Sequence, residues 1–361
     1  MAVLSLVGAM LVGCGGTQGE DGINYLSDEP VRDLDSLSNL YEKECASDER
    51  VVMLFTGDIG QAEGTPISNR LDAVGGDTSQ CLTNGLIDKL NSADILVVNN
   101  EFTYSTRGES QPGKTYTFRA DPSRVHILND MGADLVSLAN NHVFDYGEEA
   151  FFDTMDTISE AGLPYIGAGA DIDEAAAPVY FYANDKVIAV CAASQIERSS
   201  NQTQYATEER CGINKCLDDT RFCEEIAEAD ENADYVVVYV HWGIELAEYP
   251  EEYERELAKE YIAAGADLVI GSHPHVLQGI EYIDGVPVVY SMGNFIFHDS
   301  ISRTMALEAT FSSDGVSLRC IPAAASGSQT YVVDDGSEIL SYLESISYDV
   351  SIEEDGTVRE N

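Results

Sequence analysis

The chain has 361 residues, 44% of them hydrophobic, enough for one large domain or two ordinary ones. Its 64 acidic side chains stand against 19 basic ones, a formal net charge of −45. A surface so anionic repels nucleic acid and anionic lipid headgroups, which excludes both as partners, and a polyanionic substrate would need a cation to mediate contact.

Residues 1–14 are apolar but too few to span a bilayer. They read as the core of a secretory signal peptide. Leu11-Val12-Gly13-Cys14 resembles the bacterial lipobox, in which the cysteine is lipidated and becomes the new N-terminus. This predicts an extracytoplasmic protein held to the cell membrane by a lipid on Cys14. Residues 15–50 are polar and acidic, the composition of a hydrated tether. Strand-like sequence begins at Val51 and opens a domain expected over 51–335.

Within that domain one pattern recurs: an apolar run ends in a polar, metal-binding type of residue. "VVMLFTGD" ends at Asp58, "ADILVVNNE" at Glu101, "ADLVSLANNH" at Asn141 and His142, "ADYVVVYVHWG" at His241, and "ADLVIGSHPH" at His273 and His275. Four of these begin with Ala-Asp, at Ala93, Ala133, Ala233 and Ala266. The runs do not alternate, so they fit strands buried on both faces. Between them, residues 148–161 and 251–264 carry apolar stripes at helical spacing (Phe151, Phe152, Met155 and Ile158; Tyr253, Leu257, Tyr261 and Ile262). Strands alternating with helices predict an α/β fold with a largely parallel sheet. The polar stretch 194–232 reads as a lid or a surface insertion, and a disulfide among its Cys211, Cys216 and Cys223 would suit an oxidising compartment. Residues 304–334 read as a hairpin and a further strand, and 336–361 as a loosely packed acidic tail.

In such a sheet the carboxyl ends of the strands gather ligand-binding groups in one crevice. Five of the six histidines (His142, His241, His273, His275 and His298) lie at or just after these ends; His126 falls on a predicted helix. Asp, Glu, Asn and His together make a mixed oxygen and nitrogen set that suits Mn²⁺, Fe or Zn²⁺ better than Ca²⁺. One or two such ions would permit metal-dependent hydrolysis of a phosphoester. Arg119 is a candidate anion anchor. Glu245 is a candidate substrate contact, and so is Asn294, which could instead fix the local turn. Trp242 could line the site or pack.

"TGD" (56–58), "NNE" (99–101), "LANNHVFDYG" (138–147), "HWG" (241–243), "GSHPHVLQ" (271–278) and "YSMGNFIF" (290–297) resemble, in order, the motifs of the poly-γ-glutamate capsule-synthesis (CapA-type) proteins. "TYTFRADP" (115–122) and "YIGAGAD" (165–171) fit the same series. These proteins belong to the calcineurin-like metallophosphatase superfamily. The resemblance implies a four-layer α/β/β/α sandwich. It assigns Asp58 and His275 to one ion and Asn141, His241 and His273 to another, with Glu101 bridging both. His142 would be general acid or oxyanion stabiliser, oriented by Asp145. The superfamily's first motif is Asp-x-His, and here its second position is Gly60. CapA-type proteins share that lack, which implies one ion, or one tight and one loose. The family further implies a role in capsule or other cell-surface polymer synthesis or export, with capsule-synthesis membrane proteins or an anionic polymer as partners. A metal-bearing accessory module without turnover is the alternative.

Overall fold

The computed structural model describes Leu34 and residues 37–196, 203–216 and 219–361. The expected signal peptide, Cys14 and the front of the tether lie outside the described residues.

Strands that are apolar on both faces need cover on both sides, and two sheets provide it for each other. A seven-stranded sheet runs in the order Leu40–Lys43, Val179–Ala183, Lys186–Ser194, Tyr235–His241, Leu268–Ser272, Val286–Val289, Ile280–Ile283. An eight-stranded sheet runs Gln329–Val332, Gly315–Ser326, Ser300–Ser312, Arg50–Ile59, Ile95–Asn100, Leu135–Ser137, Tyr165–Ile166, with Asn294–Ile296 paired to the end of Arg50–Ile59. Between them Phe55, Val97 and Met305 of one sheet meet Val190, Tyr239 and Ile270 of the other. The outer face of the eight-stranded sheet (Leu54, Leu96, Val136) packs on Leu86, Leu128 and Phe151 of helices Asn84–Leu90, His126–Met131 and Glu148–Glu160. The outer face of the seven-stranded sheet (Val187, Val238, Val269) packs on Phe222 and Ile226 of helix Asp219–Asn232 and on Ala258 and Tyr261 of helix Glu252–Ala263. The result is the α/β/β/α sandwich that the motif series implied.

The two helices foreseen from periodicity are present. Glu148–Glu160 buries Phe151, Met155 and Ile158 on one stripe, and its first turn carries Glu148 and Glu149, which favour the positive end of the helix dipole. The sheets are mixed rather than largely parallel. Their centres are parallel, but Lys186–Ser194 pairs antiparallel to Val179–Ala183, and the hairpin Ser300–Ser326 joins Arg50–Ile59 antiparallel.

The repeated Ala-Asp pairs have a structural reason. Asp94 donates its backbone N–H to the Val52 carbonyl (3.0 Å), and its Oδ2 accepts from the Val52 N–H (2.7 Å). Asp134 does the same with Leu96, Asp234 with Val187 and Asp267 with Val236. Each aspartate therefore latches its own strand to its neighbour at the amino end. The carboxylate fills a pairing position that the entering chain leaves open.

Two boundaries differ from the sequence reading. Leu40–Lys43, placed in the tether, is a strand paired parallel with Val179–Ala183, from Leu40↔Tyr180 to Lys43↔Ala183. It is short, lies at a sheet edge and has only a partly buried face, so its composition is that of a linker. Residues 336–361 are not a loose tail. Helix Ser337–Ser345 buries Ile339, Leu340 and Leu343 in the inter-sheet core, and Val350–Ile352 pairs with Val358–Glu360. In the 194–232 stretch, Gly212–Ile213 pairs with Ala168–Gly169. Cys211 there is a free thiol that accepts from Gln204 Nε2 at 3.4 Å, so it is in no disulfide.

Candidate metal centre

Asp58, Glu101, Asn141, His241, His273 and His275 converge at the carboxyl ends of the parallel strands. Glu101 sits at the middle. Its Oε1 is 3.4 Å from His241 Nε2 and 3.8 Å from His275 Nε2. Glu101, His241 and His273 form one group of potential ligands, and Asp58, Glu101 and His275 a second, each with its donor atoms within 4.8 Å of one another. Glu101 belongs to both.

The hydrogen bonds around the histidines fix which nitrogens face inward. Ser272 Oγ donates to the Val240 carbonyl (3.5 Å) and accepts from His241 Nδ1 (2.9 Å). His241 Nε2 therefore presents a lone pair. It faces Asn141 Oδ1 at 2.9 Å, His273 Nδ1 at 3.1 Å and Glu101 Oε1 at 3.4 Å. When His273 Nδ1 is also unprotonated, lone pairs this close repel unless a cation lies among them. Metal–ligand bonds of about 2.1 Å place neighbouring ligand atoms roughly 3.0–3.4 Å apart, the spacing found here. Both carboxylate oxygens of Glu101 are buried without a hydrogen-bond partner, and such a group is costly unless a cation compensates it. The residues present fit a divalent ion.

At the second group, His275 Nδ1 donates to Asn294 Oδ1 (2.8 Å) and approaches Asp58 Oδ2 (3.3 Å). That turns His275 Nε2 toward Glu101. Burial works against charge on His275, but Glu101 and Asp58 outweigh it and raise its pKa to about 9. Burial would raise the Asp58 pKa, yet the bond and charge of His275 hold it below the ordinary value. Asp58 Oδ1 accepts from Asn99 Nδ2 at 2.8 Å. Both histidines of the His-Pro-His turn have positive φ (99° at His273, 61° at His275), an uncommon conformation for such residues. That backbone aims two side chains from one turn into one site.

His142 stands beside this centre. Its Nδ1 bonds Asp145 Oδ2 at 2.7 Å. A carboxylate only accepts, so Nδ1 carries a hydrogen and Nε2 is left free of that bond. Phe118 stacks on the His142 ring at 4.2 Å and meets Phe297 edge-on at 5.6 Å, and Phe297 packs on His275 at 4.8 Å. An aromatic wall thus joins the acid–base dyad to the second donor group. A Cβ on Gly60 would lie 2.7 Å from the Phe297 ring. The space that any side chain at position 60 would need is filled by that ring.

The three expected substrate contacts fall in different places. Asn294 bonds His275 and orients it. Arg119 lies over the Tyr146 ring at 4.4 Å and pairs with Glu63 at 3.3 Å. Glu245 is exposed, next to Leu246, whose N–H bonds the carbonyl of Pro274 in the His-Pro-His turn. Trp242 is fully buried, with Nε1 donating to the Tyr290 carbonyl at 3.1 Å. It packs; it does not line the site.

Sequence reasoning missed the supporting shell. Asn140 Nδ2 donates to Asn99 Oδ1 (3.0 Å), and Asn140 Oδ1 accepts from the His142 and Val143 N–H groups. The doubled asparagines in "NNE" and "ANNH" were the one available signal. Lys114, on a loop that looks like surface, reaches Asp145 with a side chain only 6% exposed.

Four layers with these donors at the strand ends make a metallophosphatase-like sandwich. The profile of the family "Bacterial capsule synthesis protein PGA_cap" matches residues 52–299, and the chain belongs to that family. It is 34% identical over 206 residues to the PGA biosynthesis protein CapA of Bacillus subtilis (strain 168), covering 57% of this chain and 53% of that one. It is 34% identical over 196 residues to the capsule biosynthesis protein CapA of Bacillus anthracis, covering 53% and 46%. A probable polyglutamine synthesis accessory protein of Mycobacterium tuberculosis (strain ATCC 25618 / H37Rv) is 26% identical over 212 residues, covering 57% and 56%. The chain spans about half the length of the curated relatives it matches. Among solved structures, sulfate thiohydrolase SoxB of Thermus thermophilus aligns at a TM-score of 0.44 and 16% identity, covering 78% of this chain and 57% of that one. That likeness is too loose to inform the chemistry here.

Proposed function

We propose that this protein serves the synthesis or export of poly-γ-glutamate capsule or a related cell-surface polymer, as a lipid-anchored extracytoplasmic metallohydrolase that cleaves a phosphoester. The observation that carries the catalytic part is Glu101, a buried carboxylate with both oxygens unpartnered between two donor groups. Asn141, His241, His273 and Glu101 would hold one divalent ion, and Asp58, His275 and Glu101 a second, looser one; Mn²⁺, Fe and Zn²⁺ all suit the set. Such ions supply positive charge to phosphoryl oxygens and make bound water more acidic. The chain's own residues do the rest. His142, its Nδ1–H held by Asp145 and its plane set by Phe118, keeps Nε2 for proton exchange with the leaving oxygen. Ser272 and Asn294 keep His241 and His275 turned inward. Arg119 at the rim would anchor an anion, with Glu245 beside the His-Pro-His turn.

The test is to measure bound metal, then aryl phosphate turnover with Mn²⁺ in wild type and His142→Ala. Turnover that vanishes in the variant while metal is retained supports the enzyme. Metal without turnover in either supports the second reading, a non-catalytic module that holds a polyanion or membrane partners. Gly60 favours that second reading, because it withholds a ligand from the Asp58 group. The anchor is tested by Cys14→Ser, which should move the protein from the membrane fraction to the soluble one.

A further inference from the structure

We infer that Lys114 is a positioning residue for the His142–Asp145 dyad and for the ligand Asn141, an inference that rests on the reading of that dyad above. Loop 105–118 starts with Ser105 and Arg107 tied to Asp153 of helix Glu148–Glu160, and from Gly108 onward its anchors fall on the turn that carries Asn141, His142 and Asp145. Gln111 donates its N–H to the Asp145 carbonyl (2.8 Å) and its Nε2 to the Phe144 carbonyl (3.1 Å). A Cβ on Gly108 would lie 2.1 Å from the Tyr146 carbonyl oxygen, so the strap presses directly on the turn. Phe118 donates its N–H to Asp145 Oδ2 (2.6 Å), the same oxygen that holds His142.

Lys114 closes the arrangement. Its ammonium bonds Asp145 Oδ1 and, at the same time, the main-chain carbonyl of Asn141. The lysine side chain is 6% exposed and the aspartate 0%. One cation therefore fixes a carboxylate oxygen and a backbone oxygen on either side of His142. With Oδ1 tied to Lys114 and Oδ2 to the Phe118 N–H, the Asp145 carboxylate cannot rotate away from the imidazole. With its carbonyl tied, the Asn141 backbone is held where its Oδ1 reaches His241 Nε2 at 2.9 Å. A lysine on a polar loop thus holds the carboxylate that orients His142 and the backbone that carries Asn141.

The test compares Lys114→Met and Lys114→Arg with wild type in the full chain. The His142 Nδ1–H proton, bonded to a buried carboxylate, should give a downfield NMR signal in the Zn²⁺-loaded protein. Its assignment follows from its disappearance in His142→Gln. Lys114→Met should lose or broaden that signal and weaken Zn²⁺ binding roughly 10–100-fold. The aryl phosphate kcat should fall by a similar factor while KM changes little. Lys114→Arg keeps a cation of similar reach and should restore most of each. If Lys114→Met does not fold, Lys114→Gln takes its place, read the same way. A folded variant with an unchanged His142 signal and unchanged Zn²⁺ affinity overturns the inference. Because both are measured without substrate, they stand even if wild type shows no turnover, an outcome that would count against the phosphoesterase reading alone.

Discussion

The ring of Phe297 stands where a side chain on Gly60 would have to go, 2.7 Å from an ideal Cβ. The ring is held on two sides, by Phe118 and by His275, so it cannot simply swing away. Gly60→Ala should cost about 1–3 kcal/mol by overpacking. Phe297→Leu in the same chain should recover part of that cost, since the two positions share one volume. Urea denaturation of the single and double variants in EDTA measures this, and purely additive costs would show that the ring is not the obstacle.

Glu101 would trade stability for metal. Its two buried oxygens accept no hydrogen bond, and the charged His275 ring 3.8 Å away offsets their burial only in part. Glu101→Gln should therefore raise the melting temperature in EDTA, by a gain on the order of 1–3 kcal/mol. Added Mn²⁺ should stabilise wild type and leave the variant unmoved. A variant that melts below wild type in EDTA contradicts the assignment.

Glu254 gives a pH signature away from the centre. Burial raises its pKa from 4.5 to about 7, against the bond from the Glu251 N–H. The folded state thus prefers the protonated acid. Its contribution is fully present below about pH 4.5 and is lost as pH rises through about 7. Glu254→Gln keeps an acceptor for the Glu251 N–H and removes the ionisation. Its advantage over wild type should be near zero at pH 4.5 and reach a plateau above pH 7, with roughly 3 kcal/mol as an upper figure. Paired denaturation curves across that range decide it; a flat difference would refute it.

Asp94 accepts from two backbone N–H groups, those of Ala46 and Val52. Asp94→Ala leaves both unpaired and should cost about 1–3 kcal/mol. Asp94→Asn, which keeps one acceptor, should cost less. Metal affinity should be the same in both, since the latch is at the far end of the strand. Calorimetric metal titration beside thermal melting checks both parts.

Much of the site was legible because a parallel strand delivers its last residue to a fixed edge. Asp58, Glu101, His241 and His273 could be read from that rule alone. The same rule brought His275 to that edge, but the direction of its ring depends on the positive-φ turn around Pro274. Asn294 was read as a turn former or a substrate contact, and its side-chain bond to His275 in the His-Pro-His turn fits the first reading. Its role depends on Asn294–Ile296 pairing with Arg50–Ile59, which periodicity does not reveal. Lys114 was invisible because sequence context marked its loop as solvent-facing and only tertiary closure buries the ammonium. The Ala-Asp repeat was noticed but not understood, since its bonds run between strands distant in sequence. The C-terminal helix could have been found, as Ile339, Leu340 and Leu343 have helical spacing, but the surrounding acids masked them.

The four aspartate latches and the candidate metal centre occupy opposite ends of the same strands. Fastening is thereby separated from chemistry. Loops at the working end can lengthen, shorten or exchange residues while the sheets stay zipped from the other side. Such a scaffold lets new specificities be tried one loop at a time without renegotiating the framework beneath them.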